Sequence, residues 1–356
     1  RGDRWDGCRG RRTVNHRGGR LLVWVIAVVA WLGGDAWSAD PGDVAKLVAR
    51  RGGRIVELSG GGEPGRVRLA LGGTQVSDAD LDQLVTLPRL VEIDLSATLV
   101  TDRGARRLAG CRTLETVDLS RTRISDAGLS ALAELPHLRS LRVGFTRVRG
   151  RGLTGLRRLE TLGLDGPQTS DATLKHLAAL KKLKSLSLNL SRVSDAGLSG
   201  LVGLVGLESL SLCETRVGDG GLVHLSKANR LERLELSGTR VSDVGLKSLG
   251  AMSSLVQVGL DRTTVGDAGL VHLVGLQRLQ RLGLSATRVG DGGTPALARL
   301  SSLKRLSLAT SRVTDSGLVA LRKVSGLERL VLTLTATTDA GVAGLREAIP
   351  GLNVDR

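Results

Sequence analysis

Aspartate recurs at a fixed interval, and this limits what the chain can fold into more than any other feature. The interval is 24 residues from Asp78 to Asp126 and again from Asp171 to Asp339. Gly150 stands in the gap, 24 residues after Asp126 and 21 before Asp171. The chain therefore holds twelve repeats, one of them shorter by three residues. A fixed period between about 20 and 50 residues indicates a solenoid whose units bury their cores against one another.

Two apolar periods coexist inside each repeat. In the third repeat, leucines stand every three residues from Leu129 to Leu138, which predicts a short helix with one buried stripe. Leu141 and Val143 then alternate, which predicts a short strand. Strands stack about 4.8 Å apart, whereas packed helices need about 10 Å. The sequence therefore predicts an α/β solenoid curved into a horseshoe, with a parallel sheet on the concave face and short helices on the convex face.

Three polar columns accompany the apolar pattern. The Asp precedes the helix and is predicted to accept from free helical N–H groups, unless the Ser or Thr before it is the cap. A Gly follows two residues later in ten of twelve repeats and is predicted to allow close approach of adjacent turns. A column of nine Thr, two Ser and Pro167 follows the strand. Its hydroxyls are predicted to bond to backbone groups of the next repeat.

The repeat phrase L-x-x-L-x-L-x-x-T-x-V followed by S/T-D-x-G-L resembles the leucine-rich repeat family, with Thr where many members place Asn or Cys. It is most similar to bacterial repeats with "VTDAGL" phrases and to the repeats of eukaryotic F-box leucine-rich proteins. The resemblance covers about residues 66 to 354 and implies a binding scaffold. It does not indicate a ligand, because the matching residues are structural. We expect an N-terminal cap over 40–65, repeats over 66–349 and a C-terminal cap over 350–356.

Residues 1–39 have the organisation of an export signal. Seven Arg flank or precede twelve apolar residues, Leu21 to Leu32, and small residues follow. The apolar run is shorter than the roughly 20 residues that span a bilayer. We expect a cleaved signal peptide or an uncleaved signal anchor. The protein is then exported to the periplasm, the cell surface or the medium, and contacts a membrane only through an uncleaved segment.

Composition argues against catalysis and against base stacking. The recurrent Asp are spread one per repeat, and His176, His224 and His272 stand 48 residues apart, so neither set converges on a metal or a substrate. Tyr is absent and Phe145 is the one Phe, which makes nucleic acid an unfavoured partner. Cys111 and Cys213 occupy different columns and should not form a disulfide. We expect no enzymatic activity, no cofactor and no metal.

The formal net charge of +16 favours an anionic partner. Four arginines belong to the sheet face of the later repeats and form the first candidate site: Arg233, Arg281, Arg305 and Arg329. Five others follow the Thr column on one rim: Arg192, Arg216, Arg240, Arg288 and Arg312. Both rows are predicted to bind anions through forked guanidinium contacts. The alternative for each is a solvated charge row.

Three functions fit these observations. The first is an exported, non-enzymatic scaffold that binds a protein or an acidic polymer. The second, which follows only from the resemblance, is an F-box-like adaptor that recruits substrates for ubiquitin transfer. The third is a passive spacer in a cell envelope.

The short repeat is predicted to be a weak point. It lacks the Asp at Gly150, it carries Pro167 in the Thr column, and its helical segment is three residues shorter. We expect this region to open more readily than its neighbours.

Overall fold

The structure is a computed structural model that describes residues 41–58 and 65–356. The export signal at 1–39 and most of the turn "SGGGEPG" at 59–65 lie outside the described residues. The described chain divides into two compact units, one ending at Leu183 and one comprising Lys184–Arg356. Within these residues, no helix is both long enough and apolar enough to cross a membrane.

The N-terminal unit begins with α1 (Pro41–Arg50) and β1 (Arg54–Glu57), in the segment predicted as a cap. β1 pairs antiparallel with β2, and the later strands pair in parallel. These strands are β2 (Val67–Ala70), β3 (Leu90–Asp94), β4 (Thr116–Asp118), β5 (Ser140–Arg142) and β6 (Thr161–Gly163). The helices are α2 (Leu81–Leu84), α3 (Asp102–Leu108), α4 (Asp126–Leu132) and α5 (Asp171–Leu174), with 3₁₀ turns at Arg151–Gly155 and Lys175–Ala179.

The C-terminal unit repeats the same strand and helix seven times and closes with one more strand. Its strands, all parallel, are β7 (Ser185–Ser187), β8 (Ser209–Ser211), β9 (Arg233–Glu235), β10 (Gln257–Gly259), β11 (Arg281–Gly283), β12 (Arg305–Ser307), β13 (Arg329–Val331) and β14 (Asn353–Asp355). Its helices are α6 (Asp195–Leu198), α7 (Asp219–Leu225), α8 (Asp243–Gly250), α9 (Asp267–Leu270), α10 (Thr294–Leu297), α11 (Asp315–Leu321) and α12 (Asp339–Ala348). Three 3₁₀ turns accompany them at Ser199–Leu201, Val271–Leu273 and Asp291–Gly293.

Each repeat buries its leucines between its own helix and strand. In the repeat that begins at Asp219, the helical Leu222 and Leu225 and the strand Leu234 are at most 2% exposed. A fully buried Leu contributes roughly 1.5–3 kcal/mol, and the same pattern recurs in every repeat. The other face of each strand stays open to solvent. The structure confirms the predicted α/β repeat solenoid with a parallel sheet.

The repeated Asp connects each repeat to the next one, and we call this row the Asp ladder. Asp102 Oδ1 accepts from the backbone N–H of Ser125 (2.7 Å), and its Oδ2 accepts from the Ser125 hydroxyl (2.6 Å). Ser125 Oγ in turn accepts from the N–H of Ala127 and so caps α4. The capping role therefore belongs to the Ser or Thr, the second of the two predicted alternatives. The same forward bond is made by Asp78, Asp126, Asp195, Asp219, Asp243, Asp267, Asp291 and Asp315.

The Gly column makes room for the Asp ladder. The N–H of Gly128 also donates to Asp102 Oδ1 (3.1 Å). A Cβ at Gly245 would overlap Oδ1 of Asp219 from the preceding repeat. Glycine is thus required because a neighbouring carboxylate fills the space that a side chain would take, which confirms the predicted close approach.

The two repeats without this Gly follow units that supply no Asp. Asp80 stands in the column after the N-terminal cap, and its Oδ2 accepts from the N–H of Ser77 (2.8 Å). Thr173 stands in it after Gly150, and its hydroxyl accepts from the N–H of Ser170 (3.3 Å). Each repeat therefore carries its own acceptor where the preceding repeat offers none.

Asp80 also ties the cap to the first repeat through the guanidinium of Arg51, which lies 2.8 Å from Asp80 Oδ1. Burial alone would raise the pKa of Asp80. Hydrogen bonds from Ser77 and from Arg51 outweigh it, so the pKa lies below its ordinary value.

The Thr column bonds within its own repeat, and the predicted ladder to the next repeat is wrong. Thr122 Oγ1 donates to the carbonyl of Leu119, three residues back (2.6 Å), and all nine Thr of the column do the same. The chain turns sharply at this point, with Arg121 at a φ of 60°. The turn brings the hydroxyl back to a buried carbonyl, and the backbone makes the contact between repeats instead, as in Arg121 N–H to Gly144 O (2.8 Å).

The short repeat itself compensates for one of its three irregularities, the Pro in its Thr column. Thr169 replaces the apolar residue that normally ends the phrase, and its hydroxyl donates to the carbonyl of Leu164 (2.7 Å). Pro167 therefore leaves no buried carbonyl unpaired at this position. The helix is reduced to the 3₁₀ turn Arg151–Gly155, and Gly150 adopts a φ of 108°. The helix stays short, and the acceptor lost at Gly150 is supplied by Thr173 of the following repeat.

We predict that the Asp ladder and the Gly column are energetically coupled. Gly245→Thr alone should cost about 2–3 kcal/mol because the side chain meets Asp219. Asp219→Gly alone should cost about 1–3 kcal/mol because Ser242 loses its acceptor. The double variant reproduces the Gly150–Thr173 arrangement and should lose less than the sum, as measured by denaturant unfolding. Additive losses would contradict this account.

We also predict faster amide exchange in the short repeat. Residues 150–160 should exchange sooner than the corresponding residues of the preceding repeat, because the 3₁₀ turn has fewer backbone hydrogen bonds and no Asp at its start. Hydrogen exchange followed by mass spectrometry measures this. Equal protection in the two repeats would show that the shortened helix is as stable as a full one.

Candidate functional site

The exposed face of the sheet in Lys184–Arg356 carries the first candidate row. Parallel pairing places Arg281 of β11 beside Arg305 of β12, and Arg305 beside Arg329 of β13. Arg233 of β9 shares this position, separated from Arg281 by Gln257 of β10. The structure thus brings the four sequence-predicted residues into one column across five strands.

Arg329 is neutralised by the last strand. Its Nε and Nη2 both donate to Oδ2 of Asp355, at 2.9 and 2.7 Å. Asp355 belongs to β14, whose Asn353 is the register partner of Arg329. The sequence analysis did not anticipate this diagonal contact, because it depends on how far the Arg side chain extends.

Arg281 and Arg305 have no carboxylate partner in the described residues. Arg281 is exposed, and its Nη1 donates to the neutral side chain of Gln257 (3.3 Å). Arg305 makes no side-chain hydrogen bond or ion pair with any described residue. Arg233 lies at the margin of an ion pair with Glu232 (3.9 Å). The positive charge available to a ligand is therefore centred on two adjacent strands.

A half-buried acid beside this row was missed by sequence reasoning. Glu235 folds over Gly259 of the next strand, where a Cβ would overlap its carboxylate, and Gln257 Nε2 donates to its Oε1 (2.7 Å). Burial raises the pKa of Glu235 to about 7, the Gln257 bond opposes the rise, and the charge of Asp261 adds to it. Burial also raises the pKa of Asp261, against hydrogen bonds from Ser285. The sequence signal for this contact was Gly259, which stands one repeat after Glu235 and leaves room for its side chain.

Glu235 should make the stability of the protein depend on pH. Its folded pKa of about 7 lies above its ordinary value of 4.5. As the pH rises through this window, the unfolded chain has already released the proton that the folded state still holds. The free energy of unfolding should therefore fall, by up to about 3 kcal/mol.

The measurement is denaturant unfolding at pH 4.5 to 8 for the parent and for Glu235→Gln. The variant should lose this part of the pH dependence. Glu347→Gln, at an exposed position, is the control and should retain it. Identical pH profiles for the parent and Glu235→Gln would refute the assignment.

The second candidate row lies along the rim and is exposed throughout. Backbone bonds hold it in place, as in Arg240 N–H to Val217 O (2.8 Å). No side-chain ion pair involves these five arginines within the described residues. However, the Asp ladder runs beside them, because a Cβ at Gly218 would lie 3.6 Å from both Arg240 Cβ and Asp195 Oδ2. The carboxylates reduce the net charge of this rim.

The described residues offer little for other chemistry. No group of three or more His, Cys, Asp or Glu among them could hold a metal ion. Cys111 is a free, buried thiol, so the predicted absence of a Cys111–Cys213 disulfide is confirmed. Burial raises the pKa of this thiol, which disfavours the reactive thiolate.

Comparison with known proteins supports the repeat fold. The model of the leucine-rich repeat family matches residues 110–133 and 229–250. The structure is similar to an internalin of Listeria monocytogenes, with a TM-score of 0.62 and 19% identity over 94% of each chain. It is also similar to a leucine-rich-repeat protein of Leptospira interrogans, with a TM-score of 0.53 and 15% identity over 77% of this chain and 80% of that one. No curated protein matches the sequence.

Proposed function

We propose that the protein is an exported, non-enzymatic leucine-rich-repeat scaffold that binds an acidic protein segment or an acidic polymer. The observation that carries this proposal is the pair Arg281 and Arg305, adjacent on the open sheet face and without a carboxylate partner among the described residues. Arg233 belongs to the same column beyond Gln257, and Arg329, paired with Asp355, borders the pair on the other side. The fold, shared with an internalin, supports a role in protein binding.

The geometry suits carboxylate, sulfate or phosphate groups. A guanidinium offers parallel N–H donors that match two oxygens of such an anion. The neighbouring face residues Gly283 and Ser307 are small, so they do not cover the arginines. Two like charges on adjacent strands repel each other, and an anion between them removes that repulsion. Binding to this open surface is weak and salt-sensitive.

The rim arginines are a second, weaker part of the proposal. Because the Asp ladder lies beside them, an approaching polyanion meets both signs of charge on this rim. We therefore place the principal contact on the sheet face. No observation favours the F-box-like adaptor, which remains implied only by the resemblance of the repeats.

Export rests on the order of features in residues 1–39. The charged segment, the twelve apolar residues and the small residues that follow are the parts of a signal peptide or a signal anchor. N-terminal sequencing of the native protein tests this. Mature protein should begin near residue 39, or should stay with the membrane fraction if the segment is an anchor. Intact N-terminal residues on a protein in the cytosol would contradict it.

Binding is tested with poly-L-glutamate at low salt. Arg281→Glu with Arg305→Glu should weaken it at least about tenfold, because two contacts are lost and two repulsions gained. Arg288→Glu with Arg312→Glu is the control, since it changes the net charge equally in the same repeats but on the rim. Both double variants should keep the parent melting temperature, because none of these arginines pairs with a carboxylate of the described residues. Equal weakening by the two would reduce the effect to net charge, and no binding by the parent would favour the passive spacer.

A further inference from the structure

A cleft lies at the short repeat, on the edge where the chain enters each strand. It has a volume of about 300 Å³ and is lined by Pro136, His137, Arg139, Arg158, Glu160 and Lys182. These residues come from three consecutive repeats of the N-terminal unit. A second depression borders it, formed by residues 133–138 and 155–158.

The cleft coincides with the repeat that lacks three residues. The 3₁₀ turn Arg151–Gly155 replaces a full helix in the repeat that lies in the middle of the cleft. A Cβ at Gly155 would lie 2.8 Å from Ala133 Cβ of the preceding repeat. The loops that carry His137 and Lys182 come from repeats of full length. Arg158 stands at the equivalent position of the loop in the short repeat, so that the three side chains come from consecutive loops.

The lining is strongly cationic. Arg139, Arg158 and Lys182 face a single acid, Glu160, which lies 3.3 Å from Arg139 Nη1. Lys182 is exposed and makes no hydrogen bond or ion pair with any described residue. Nη1 of Arg158 donates to the carbonyl of Pro136, which holds the guanidinium across the cleft while its other N–H groups remain available. The lining of this concave site thus contains three basic side chains and one acidic side chain.

We propose that this cleft binds a phosphate or sulfate group. A phosphate or sulfate group has at least three acceptor oxygens and carries one or two negative charges. These features match the guanidinium of Arg158 and the ammonium of Lys182. The lining contains little apolar surface, so an apolar ligand is not favoured. The volume is at the lower end of the range for ligand pockets and admits the anion with one attached ring. This site is independent of the sheet-face arginines and lies in the other unit.

Two probes separate the sources of such a group. Pyrophosphate represents a small free anion, and a heparin-derived oligosaccharide represents a sulfated polymer. Titration calorimetry at low salt should detect binding of at least one of them. Heparin binding without pyrophosphate binding assigns the cleft to sulfated chains, and the reverse assigns it to small phosphates. Binding of neither probe would overturn the proposal.

The residues are tested with a matched pair of variants. Arg158→Gln with Lys182→Ala should weaken binding about tenfold. Arg230→Gln with Lys227→Ala removes the same charge near the same edge of a full-length repeat and should leave binding unchanged. Lys182→Ala alone, at a side chain that bonds to no described residue, should weaken binding about threefold without changing the melting temperature. Equal weakening by the two double variants would show adsorption to the basic surface and overturn the cleft as a site.

Loss of binding at the cleft can be distinguished from loss of binding at the sheet face. Arg281→Glu with Arg305→Glu should not affect the pyrophosphate titration, because neither residue lines the cleft. Loss of poly-L-glutamate binding with retained pyrophosphate binding would support two sites. Loss of both in this variant would contradict the assignment of phosphate to the short repeat.

Discussion

The repeated structure depends on one hydrogen bond, from the N–H that precedes each helix to the Asp carboxylate of the repeat before it. At Ser125 and Ser242, for example, the same carboxylate also accepts from the hydroxyl, and the hydroxyl caps the helix. The helix start, the spacing between repeats and the requirement for Gly all follow from this contact. Leucine burial supplies most of the favourable free energy. The Asp ladder fixes where each layer of leucines sits on the next.

The irregular repeats show how strictly this contact is kept. Asp80 and Thr173 stand in the Gly column only where no carboxylate arrives from the preceding unit, and each supplies an acceptor of its own. The short repeat likewise moves its turn hydroxyl from the position of Pro167 to Thr169. A buried polar group without a partner costs about 1–3 kcal/mol, which is enough to explain why each loss is matched by a local replacement. The same repeat also forms the cationic cleft, so an irregularity of the scaffold becomes its most distinctive surface.

The sequence was sufficient for the fold and insufficient for the contacts of the site. Leucine periods of three and two residues specify helix and strand without knowledge of neighbours, and the 24-residue interval places Arg281 beside Arg305. The sequence does not specify which donor bonds to the Asp219 carboxylate, because two acceptors and two donors stand within one short segment of each repeat. The pairing of Arg329 with Asp355, and the folding of Glu235 over Gly259, depend on side-chain conformations that the interval does not encode. The cleft depends on the arrangement of side chains from three consecutive loops, which a count of missing residues does not give.

The Asp ladder is directional, and this matters while the chain is being made. Each carboxylate lies in the earlier repeat and each N–H donor in the later one, so a newly emerged repeat meets an acceptor that is already in place. In the repeat at Asp78 the acceptor is its own Asp80, paired with Arg51, and Asp339 is paired with Arg356. Since translation delivers the N-terminal repeats first, the order of synthesis and the order of templating coincide. A chain interrupted late in synthesis keeps every acceptor it needs, whereas a chain that lost its beginning would start from an unpaired helix.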